Sequence, residues 1–302
     1  MEPHIEHTSL SIHQPRALAR MLSLVENGLP EGIQFLKTIN INSKTPLIGI
    51  TGPPGAGKSS LVNALISHVL TLDLKVGILA VDPTSPFNFG SLLGDRIRMS
   101  EHFNHPNVFI RSIATRGSLG GVSAKIYEMT DVMRSADFDV IFVETVGVGQ
   151  SEVEIAGLAD STVVVLVPEA GDEVQTLKSG LMEIADLFVV NKADREGADV
   201  FIKNLNALVH QHPKSNWNIP VLKTIATQNA GINELWQALS KHHALNLVSE
   251  RKIQLMTEKA FHLILNDRMK GINKQQLTQE LANESNKMTF NLYQFIDKYY
   301  KK

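Results

Sequence analysis

Short apolar runs recur through the middle of the chain and alternate with segments of helical periodicity. The runs do not alternate polar with apolar residues, which is typical of strands buried on both faces of a parallel sheet. The seven runs cover residues 47–51, 76–81, 108–110, 140–143, 163–167, 187–190 and 221–222, and helical segments cover 57–71, 122–135, 173–184, 199–211 and 232–243. The pattern predicts an α/β protein with three layers around a mostly parallel central sheet.

Both ends of the chain have helical periodicity without strands. Near the N-terminus, apolar residues recur at three- and four-residue spacing, at Leu18, Met21, Leu22 and Val25. A second apolar stripe follows residue 245 and consists of Ile253, Met256, Ala260, Leu263 and Ile264. These stripes indicate either a subunit interface formed by the helical extensions or packing against the chain's own α/β domain. We expect an N-terminal helical extension over 1–44, an α/β domain over 45–245 and a C-terminal helical segment over 246–302.

Composition and charge exclude several classes of protein. The chain has 302 residues, with 29 Lys and Arg against 31 Asp and Glu, and this balance disfavours nucleic acid as the main partner. Cysteine is absent, which excludes disulfides, thiol catalysis and cysteine-based zinc sites. The sequence has neither a secretory or transit signal nor an apolar stretch of the ~18 residues that a membrane span needs. We therefore expect a cytoplasmic protein that binds neither membrane nor nucleic acid.

A glycine-rich motif follows the first apolar run and precedes a helical segment that opens at Ser60. Glycines let the backbone wrap around phosphates, and the helix N-terminus adds a partial positive charge. In this motif the lysine reaches the terminal phosphates and the hydroxyl that follows it can bind Mg²⁺. The string is Gly52-Pro53-Pro54-Gly55-Ala56-Gly57-Lys58-Ser59, which matches G-x-x-x-x-G-K-[ST]. The sequence therefore predicts a site for a nucleoside triphosphate in a P-loop NTPase fold.

A second motif, N-K-x-D, follows the sixth apolar run and consists of Asn191, Lys192 and Asp194. A carboxylate at Asp194 can accept hydrogen bonds from the ring N–H and the exocyclic amine of guanine, a donor pair that adenine lacks. Because leaving a buried group unpaired is costly, this pairing discriminates strongly between the bases. The Lys192 stem can lie over the base. The alternative is that Asp194 is only the N-cap of the helix that follows.

Acidic residues stand at or near the ends of other apolar runs. Glu144 ends one run and occupies the place of the acid that faces Mg²⁺ in P-loop proteins, where many GTPases have Asp-x-x-Gly and this chain has Glu144-x-x-Gly147. Asp82 ends another run, so it and Glu144 should face one crevice, since ligands gather at the carboxyl ends of parallel strands. Asp95 is a third candidate ligand. Asp82 could instead be a turn residue, and Asp95 a solvated charge or an N-cap.

These motifs together resemble the MeaB/ArgK family of SIMIBI-class P-loop GTPases. The family includes chaperones of cobalamin-dependent acyl-CoA mutases such as methylmalonyl-CoA mutase, and some members have been described as kinases of lysine/arginine/ornithine transport systems. The resemblance extends over roughly residues 10–300. Besides the motifs above, the stretches that carry it are 81–85, 90–99, 115–121, 144–152 and 170–175.

The resemblance implies roles for individual residues. Ser59, Asp82, Asp95 and Glu144 would surround Mg²⁺. Arg98 would lie near the phosphates, and Ala226 would offer its amide to the guanine keto oxygen. Asp95 matches the first switch, Gly147–Gln150 the second, and Asp172, Glu173, Gln175 and Lys178 a third that senses the partner mutase. The chain departs from the family at Ile225, where a serine is common, at Glu169, where a glycine is frequent, and over the bulkier segment 86–89.

The sequence leaves the mechanism partly open. Lys58 and Glu144 are the candidates for charge neutralisation and metal binding during GTP hydrolysis. Gln150 could position the attacking water or could only order the switch. The predicted function is a Mg²⁺-dependent GTPase that binds GTP and GDP, forms a homodimer through its helical extensions as family members do, and serves a cobalamin-dependent acyl-CoA mutase. Two alternatives are a metal-delivery GTPase, which would need cysteines or a histidine cluster, and a kinase of a transport system.

Overall fold

In the computed structural model of the protein, the chain divides into two compact units, Met1–Ile253 and Gln254–Lys302. The described residues are 10–82, 99–114, 125–145, 151–169, 180–211, 217–246, 250–269, 271–285 and 290–300.

The first unit is built on a parallel sheet whose order is β3-β2-β4-β1-β5-β6-β7. Every strand pairing in the described part of the sheet is parallel. Each strand lies on one of the apolar runs, and their bounds are β1 Leu47–Thr51, β2 Val76–Asp82, β3 Val108–Ala114, β4 Val140–Glu144, β5 Ser161–Leu166, β6 Leu187–Val190 and β7 Val221–Lys223. The strand order reverses at β1, between β4 and β5, which is where a ligand crevice forms in open α/β sheets.

Helices cover both faces of the sheet and complete the three layers. They are α1 Pro15–Glu26, α2 Pro30–Thr38, α3 Lys58–Thr71, α4 Ile126–Arg134, α5 Ser151–Leu158, α6 Ala198–Gln211 and α7 Ile232–Ala244, with a single turn at Met182–Ile184 and 3₁₀ turns at Ser100–His102 and Ala226–Gln228. Apolar residues of α3 and α7 fill the core on one face, whereas α1, α4, α5 and α6 fill the core on the other. The predicted α/β fold is confirmed.

Helix α1 packs on its own sheet. All four residues of its predicted stripe are buried, and they share a core with Leu79, Phe109 and Met129. A polar contact supports this packing, because Arg111 of β3 donates to the Glu26 carboxylate at 2.8 Å. Of the two interpretations of the N-terminal stripe, packing against the chain's own α/β domain is therefore the one that α1 adopts.

Helix α8, Glu250–Arg268, begins four residues before the second unit and lies mostly within it. The second unit also contains α9, Lys274–Ser285, and α10, Leu292–Tyr300. Phe295 is its buried centre, with ring contacts to Phe290 and Tyr299. The Tyr299 hydroxyl donates to Glu280 at 2.8 Å and ties α10 to α9. By contrast, large apolar side chains of α8 and the residue after it are between 44% and 60% exposed, at Ile253, Met256, Phe261, Leu263, Ile264, Leu265 and Met269. Within the described ranges, no helix combines the length and hydropathy that crossing a membrane requires.

Candidate nucleotide-binding site

The predicted site residues that the structure describes gather at the carboxyl edge of the sheet. The glycine-rich loop follows β1, the N-K-x-D motif follows β6, and Ala226 follows β7. Glu144 and Asp82 are the last residues of β4 and β2. The parallel direction of the strands brings these segments, which are far apart in sequence, to one edge.

Two glycines of the phosphate loop are required by close approach as well as by backbone conformation. Gly52 has φ of 137°, and a Cβ there would lie 2.1 Å from the carbonyl oxygen of Val165. Gly57 has φ of 86°, and a Cβ there would lie 2.4 Å from Asn191 Nδ2. Both conformations are rare for residues with a side chain. The loop can therefore wrap tightly only because these two positions lack one.

Helix α3 begins at Lys58, directly after Gly57, so its N-terminus lies at the end of the phosphate loop. Lys58 is buried, and its ammonium group donates to the carbonyl oxygens of Gly52 at 2.9 Å and Pro53 at 3.1 Å. Ser60 lies in the first turn of the helix. Within the loop, Ala56 is buried and the tip at Pro54 and Gly55 is exposed. The arrangement places a cation and a helix N-terminus at the glycine-rich loop, which suits a polyphosphate.

Ser59 and Glu144 meet beneath the loop. The Ser59 hydroxyl donates to Glu144 Oε1 at 2.7 Å, and both residues are buried. The contact follows from the sheet, because Glu144 of β4 pairs in register with Ile50 of β1. A hydroxyl and a carboxylate oxygen side by side are hard ligands of the kind that Mg²⁺ prefers. The residues present therefore fit a magnesium ion at this point.

Only part of the implied metal shell falls within the described residues. Asp82 ends β2 two residues beyond Ala80, which pairs in register with Glu144, so its backbone stands at the same edge. Asp95, Arg98 and Gln150 lie outside the described residues, as do Gly147 and the segment that contains Asp172, Glu173, Gln175 and Lys178.

Asn191 joins three loops of the site. Its side-chain amide donates to the carbonyl oxygen of Ala56 at 3.0 Å, and its Oδ1 accepts hydrogen bonds from the Thr224 hydroxyl at 3.1 Å and from the amide N–H of Ala226 at 3.2 Å. The amide that the family resemblance assigns to the guanine keto oxygen is thus also a partner of Asn191. Sequence reasoning missed Thr224, since a single threonine after a short strand carries no pattern.

Lys192 and Asp194 follow on the same loop. Lys192 has φ of 55°, and its ammonium group donates to the carbonyl oxygen of Gly55 at 2.8 Å, so its stem spans the opening between the two loops. Asp194 is exposed at the rim, where its carboxylate can meet a base.

An ion pair between Glu169 and Arg195 links the loop after β5 to the loop after β6. The hydrogen bond from Arg195, reinforced by the charges of Arg195 and Lys192, lowers the pKa of the Glu169 carboxyl below its ordinary value. The sequence marks Glu169 only as a departure from the family, and the structure supplies its partner.

The parallel sheet, the order of its strands and the phosphate loop beneath a helix N-terminus define a P-loop NTPase. The family model for the methylmalonyl-CoA mutase-associated GTPase MeaB matches residues 18–279. The chain belongs to this MeaB family of GTPases, and the sequence-based recognition of the family is confirmed.

Individual relatives agree with this assignment. A Pyrococcus abyssi protein named as a GTPase is 50% identical over 232 residues, which cover 75% of this chain and 72% of that protein. The GTPase ArgK of Escherichia coli is 37% identical over 235 residues, covering 74% of this chain and 70% of the relative. A solved structure titled LAO/AO transport system kinase superposes with a TM-score of 0.67 at 25% identity, covering 96% of this chain and 95% of that one. The protein is therefore a GTPase that binds guanine nucleotides.

Proposed function

We propose that this GTPase depends on Mg²⁺ and serves as a chaperone of a cobalamin-dependent acyl-CoA mutase of the methylmalonyl-CoA mutase type, coupling GTP hydrolysis to loading or protection of the mutase cofactor. The observation that carries the proposal is the match of residues 18–279 to a family described as mutase-associated. The buried Ser59–Glu144 contact supports the metal-dependent part.

The phosphates would be held by the loop and by Lys58. Ser59 and Glu144 are proposed as metal ligands, together with Asp82 and Asp95, and Arg98 is proposed to approach the phosphates. Mg²⁺ held by these residues would supply neutralisation of the charge on the phosphate oxygens. The task of the chain is to hold these groups in place, because phosphoryl transfer asks for positioning and electrostatics rather than covalent chemistry.

Guanine recognition is proposed for the loop after β6. The Asp194 carboxylate would accept two hydrogen bonds from guanine, and the Lys192 stem would cover the ring. Asn191 would hold this loop against the phosphate loop through its contact with Ala56. Because Asn191 also fixes Thr224 and Ala226, one buried amide would align the base and phosphate sites.

The attacking water needs an orienting group, and Gln150 is proposed for it. If the Gln150 amide orients the water, Gln150→Ala should hydrolyse GTP at least 10-fold more slowly than the parent chain and bind GDP with unchanged affinity. An unchanged hydrolysis rate would assign Gln150 to another task.

A homodimer is proposed through the C-terminal helices. The support is the exposed apolar surface of α8, where Ile264 of the predicted stripe and the nearby Phe261 are both more than half exposed, whereas the α1 stripe is already covered. An exposed apolar patch rimmed by polar residues marks an interaction surface. Light scattering on the full-length variant Phe261→Ser/Ile264→Ser should give a monomer and the parent chain a dimer. A parent chain that is monomeric at all concentrations would contradict the interface.

Turnover with labelled nucleotides tests the main proposal. The protein is incubated with GTP or ATP, with Mg²⁺ or with a chelator, and with or without purified methylmalonyl-CoA mutase. We expect Mg²⁺-dependent release of phosphate from GTP and not from ATP, at a rate that the mutase changes. The variant Lys58→Ala is the control for contaminating nucleotidases. A rate indifferent to the mutase would contradict the chaperone function, and transfer of phosphate from ATP to protein would favour the transport-system kinase alternative.

A further inference from the structure

Two threonines meet in the core just inside the proposed metal site. The Thr145 hydroxyl donates to the Thr51 hydroxyl at 2.9 Å, and the two residues are 1% and 0% exposed. Thr51 is the last residue of β1, and Thr145 comes directly after β4. The two residues are 94 positions apart in sequence, so the sheet alone brings them together.

The position of this pair relative to the site is specific. Thr51 immediately precedes the phosphate loop at Gly52, and Thr145 immediately follows Glu144. The main-chain N–H of Thr145 donates to the carbonyl oxygen of Ile50 at 3.0 Å, which extends the ladder between β1 and β4 by one residue beyond Glu144. Two side-chain hydrogen bonds therefore hold the end of β4, from Ser59 of α3 to Glu144 and from Thr145 to Thr51 of β1.

Stability alone gives little reason for two hydroxyls at this place. Each of the neighbouring strands is buried along its whole length, and replacing a buried hydrogen-bonded pair by apolar groups of the same shape is nearly neutral. A hydrogen bond has a preferred distance and direction, whereas an apolar contact does not, so the pair fixes the main chain on the carboxyl side of Glu144. Outer groups that hydrogen-bond to a metal ligand are typically worth 10- to 100-fold in metal affinity, and this sets an upper scale for groups that orient a ligand through the main chain.

We propose that Thr51 and Thr145 are positioning residues that clamp the end of β4 to the end of β1 and thereby hold the Glu144 carboxylate at Ser59 for a divalent cation. The inference rests on the proposed Mg²⁺ site and deepens it. Neither threonine touches the cation. Both act by fixing the backbone that carries Glu144 and the phosphate loop.

The test measures metal binding apart from turnover. Release of a fluorescent GDP analogue is followed while Mg²⁺ is titrated, and release in chelator gives the metal-free rate. In Thr145→Val, the Mg²⁺ concentration that half-maximally slows release is expected to rise about 10-fold, while the chelator rate stays within about twofold of the parent. Thr145→Ser keeps the hydroxyl and should restore the parent titration.

Two further variants test the same hydrogen bond from its other partner and from both partners together. Thr51→Val removes the other hydroxyl and should give the same shift, and the double variant should be no worse than either single one, since both remove one interaction. The matched control is Thr45→Val, which removes a buried hydroxyl that donates to the carbonyl oxygen of Phe138 at 3.1 Å, at the opposite end of β1. Its Mg²⁺ titration should equal that of the parent chain.

Each outcome separates this inference from the proposed function. Mg²⁺ titrations of Thr145→Val and Thr51→Val that equal the parent would overturn the clamp and leave the metal site standing. An equal acceleration of release in chelator would also overturn it, because a general loosening of the site affects metal-free nucleotide as well. A parent chain whose GDP release ignores Mg²⁺ would overturn the metal site, and the clamp with it.

Discussion

Polar side chains cluster at both ends of the strands of the sheet, and the two clusters have different uses. At the amino edge, Asp160 pairs with Arg134 and accepts a hydrogen bond from the main-chain N–H of Leu47 at 2.9 Å. At the carboxyl edge, Ser59 donates to Glu144, and Asn191 ties its own loop to the phosphate loop and to the loop after β7. Residue type does not separate a structural cluster from a functional one. Position relative to strand direction does, since only the carboxyl edge leads into the phosphate loop.

At the amino edge, a serine, a histidine and an aspartate that are distant in sequence lie close together. The Ser161 hydroxyl lies 2.7 Å from His242 Nδ1, and His242 Nε2 lies 3.7 Å from the Asp186 carboxylate. Ser161 and His242 are 1% and 5% exposed, and the ring of Trp217 packs against the imidazole at 4.9 Å. The cluster connects the end of α7 to the starts of β5 and β6. Because Ser161 and His242 are buried, no substrate can reach them, and we assign the cluster a structural role.

The largest expected difference between the edges concerns two lysines. Lys58→Ala should lower the rate of GTP hydrolysis by about 10³-fold or more, because the cation on the terminal phosphates is lost. Lys75→Ala is the control at the amino edge, where the lysine pairs with Asp137 on the surface at 2.9 Å. It should leave the rate unchanged. Steady-state GTP hydrolysis is measured for both variants. Similar losses of hydrolysis rate in the two would contradict the functional difference between the edges.

Asp160→Ala should give the reverse result at the amino edge. It removes the partner of Arg134 and the acceptor of the Leu47 N–H, so the free energy of unfolding should fall by about 2–4 kcal/mol. Urea denaturation measures this change. Hydrolysis per folded molecule should stay within twofold, and a larger loss of activity at unchanged stability would place Asp160 in the functional machinery.

Ser161→Ala tests whether the buried triad-like cluster is structural. Losing one hydrogen bond to His242 should reduce the free energy of unfolding by about 1 kcal/mol. GTP hydrolysis and nucleotide affinity should be those of the parent chain. A hydrolytic activity that vanishes with this hydroxyl would show that the cluster is catalytic instead.

The smallest expected effect is a pH dependence at His102. Burial lowers the pKa of its imidazole below the ordinary 6.5, against an opposing attraction from Glu101. The unfolded chain therefore takes up this proton first, so the stability contribution is complete above pH 6.5 and declines as pH falls through 6.5 towards the lowered folded-state pKa. The melting temperature of the parent should drop more between pH 7.5 and pH 5.5 than that of His102→Gln. Equal drops in the two would rule out His102 as the source.

Much of the fold follows from apolar runs alone. Helix bounds are close where propensity and packing agree, as for Lys58–Thr71 against the predicted 57–71 and Ile232–Ala244 against 232–243. Strands run further than predicted where polar residues continue them, as at Ser161 in β5 and Asp82 in β2. The phosphate loop and Asn191 were predictable because their chemistry requires fixed spacing.

The remaining features depend on tertiary pairing. The Thr51–Thr145 contact, the Thr224–Asn191 contact and the Glu169–Arg195 ion pair join residues that no local pattern connects. The apolar stripes near the two ends of the chain show the same limit. An apolar helix face predicts that another surface covers it, but it does not predict which surface. Core residues of the chain's own domain cover the stripe of α1, whereas that of α8 is half exposed.

Calorimetry of nucleotide binding tests the central claim, that the carboxyl edge binds a guanine nucleotide through the loop after β6. In the presence of Mg²⁺, the parent chain should bind GDP at least 100-fold more tightly than ADP, and Asp194→Asn should lose most of that preference. Asp199→Asn is the matched control, since this acid is exposed on α6, beyond the loop, and it should keep the preference of the parent. A parent chain that ignores GDP, or an Asp194→Asn variant with unaltered base preference, would contradict the account.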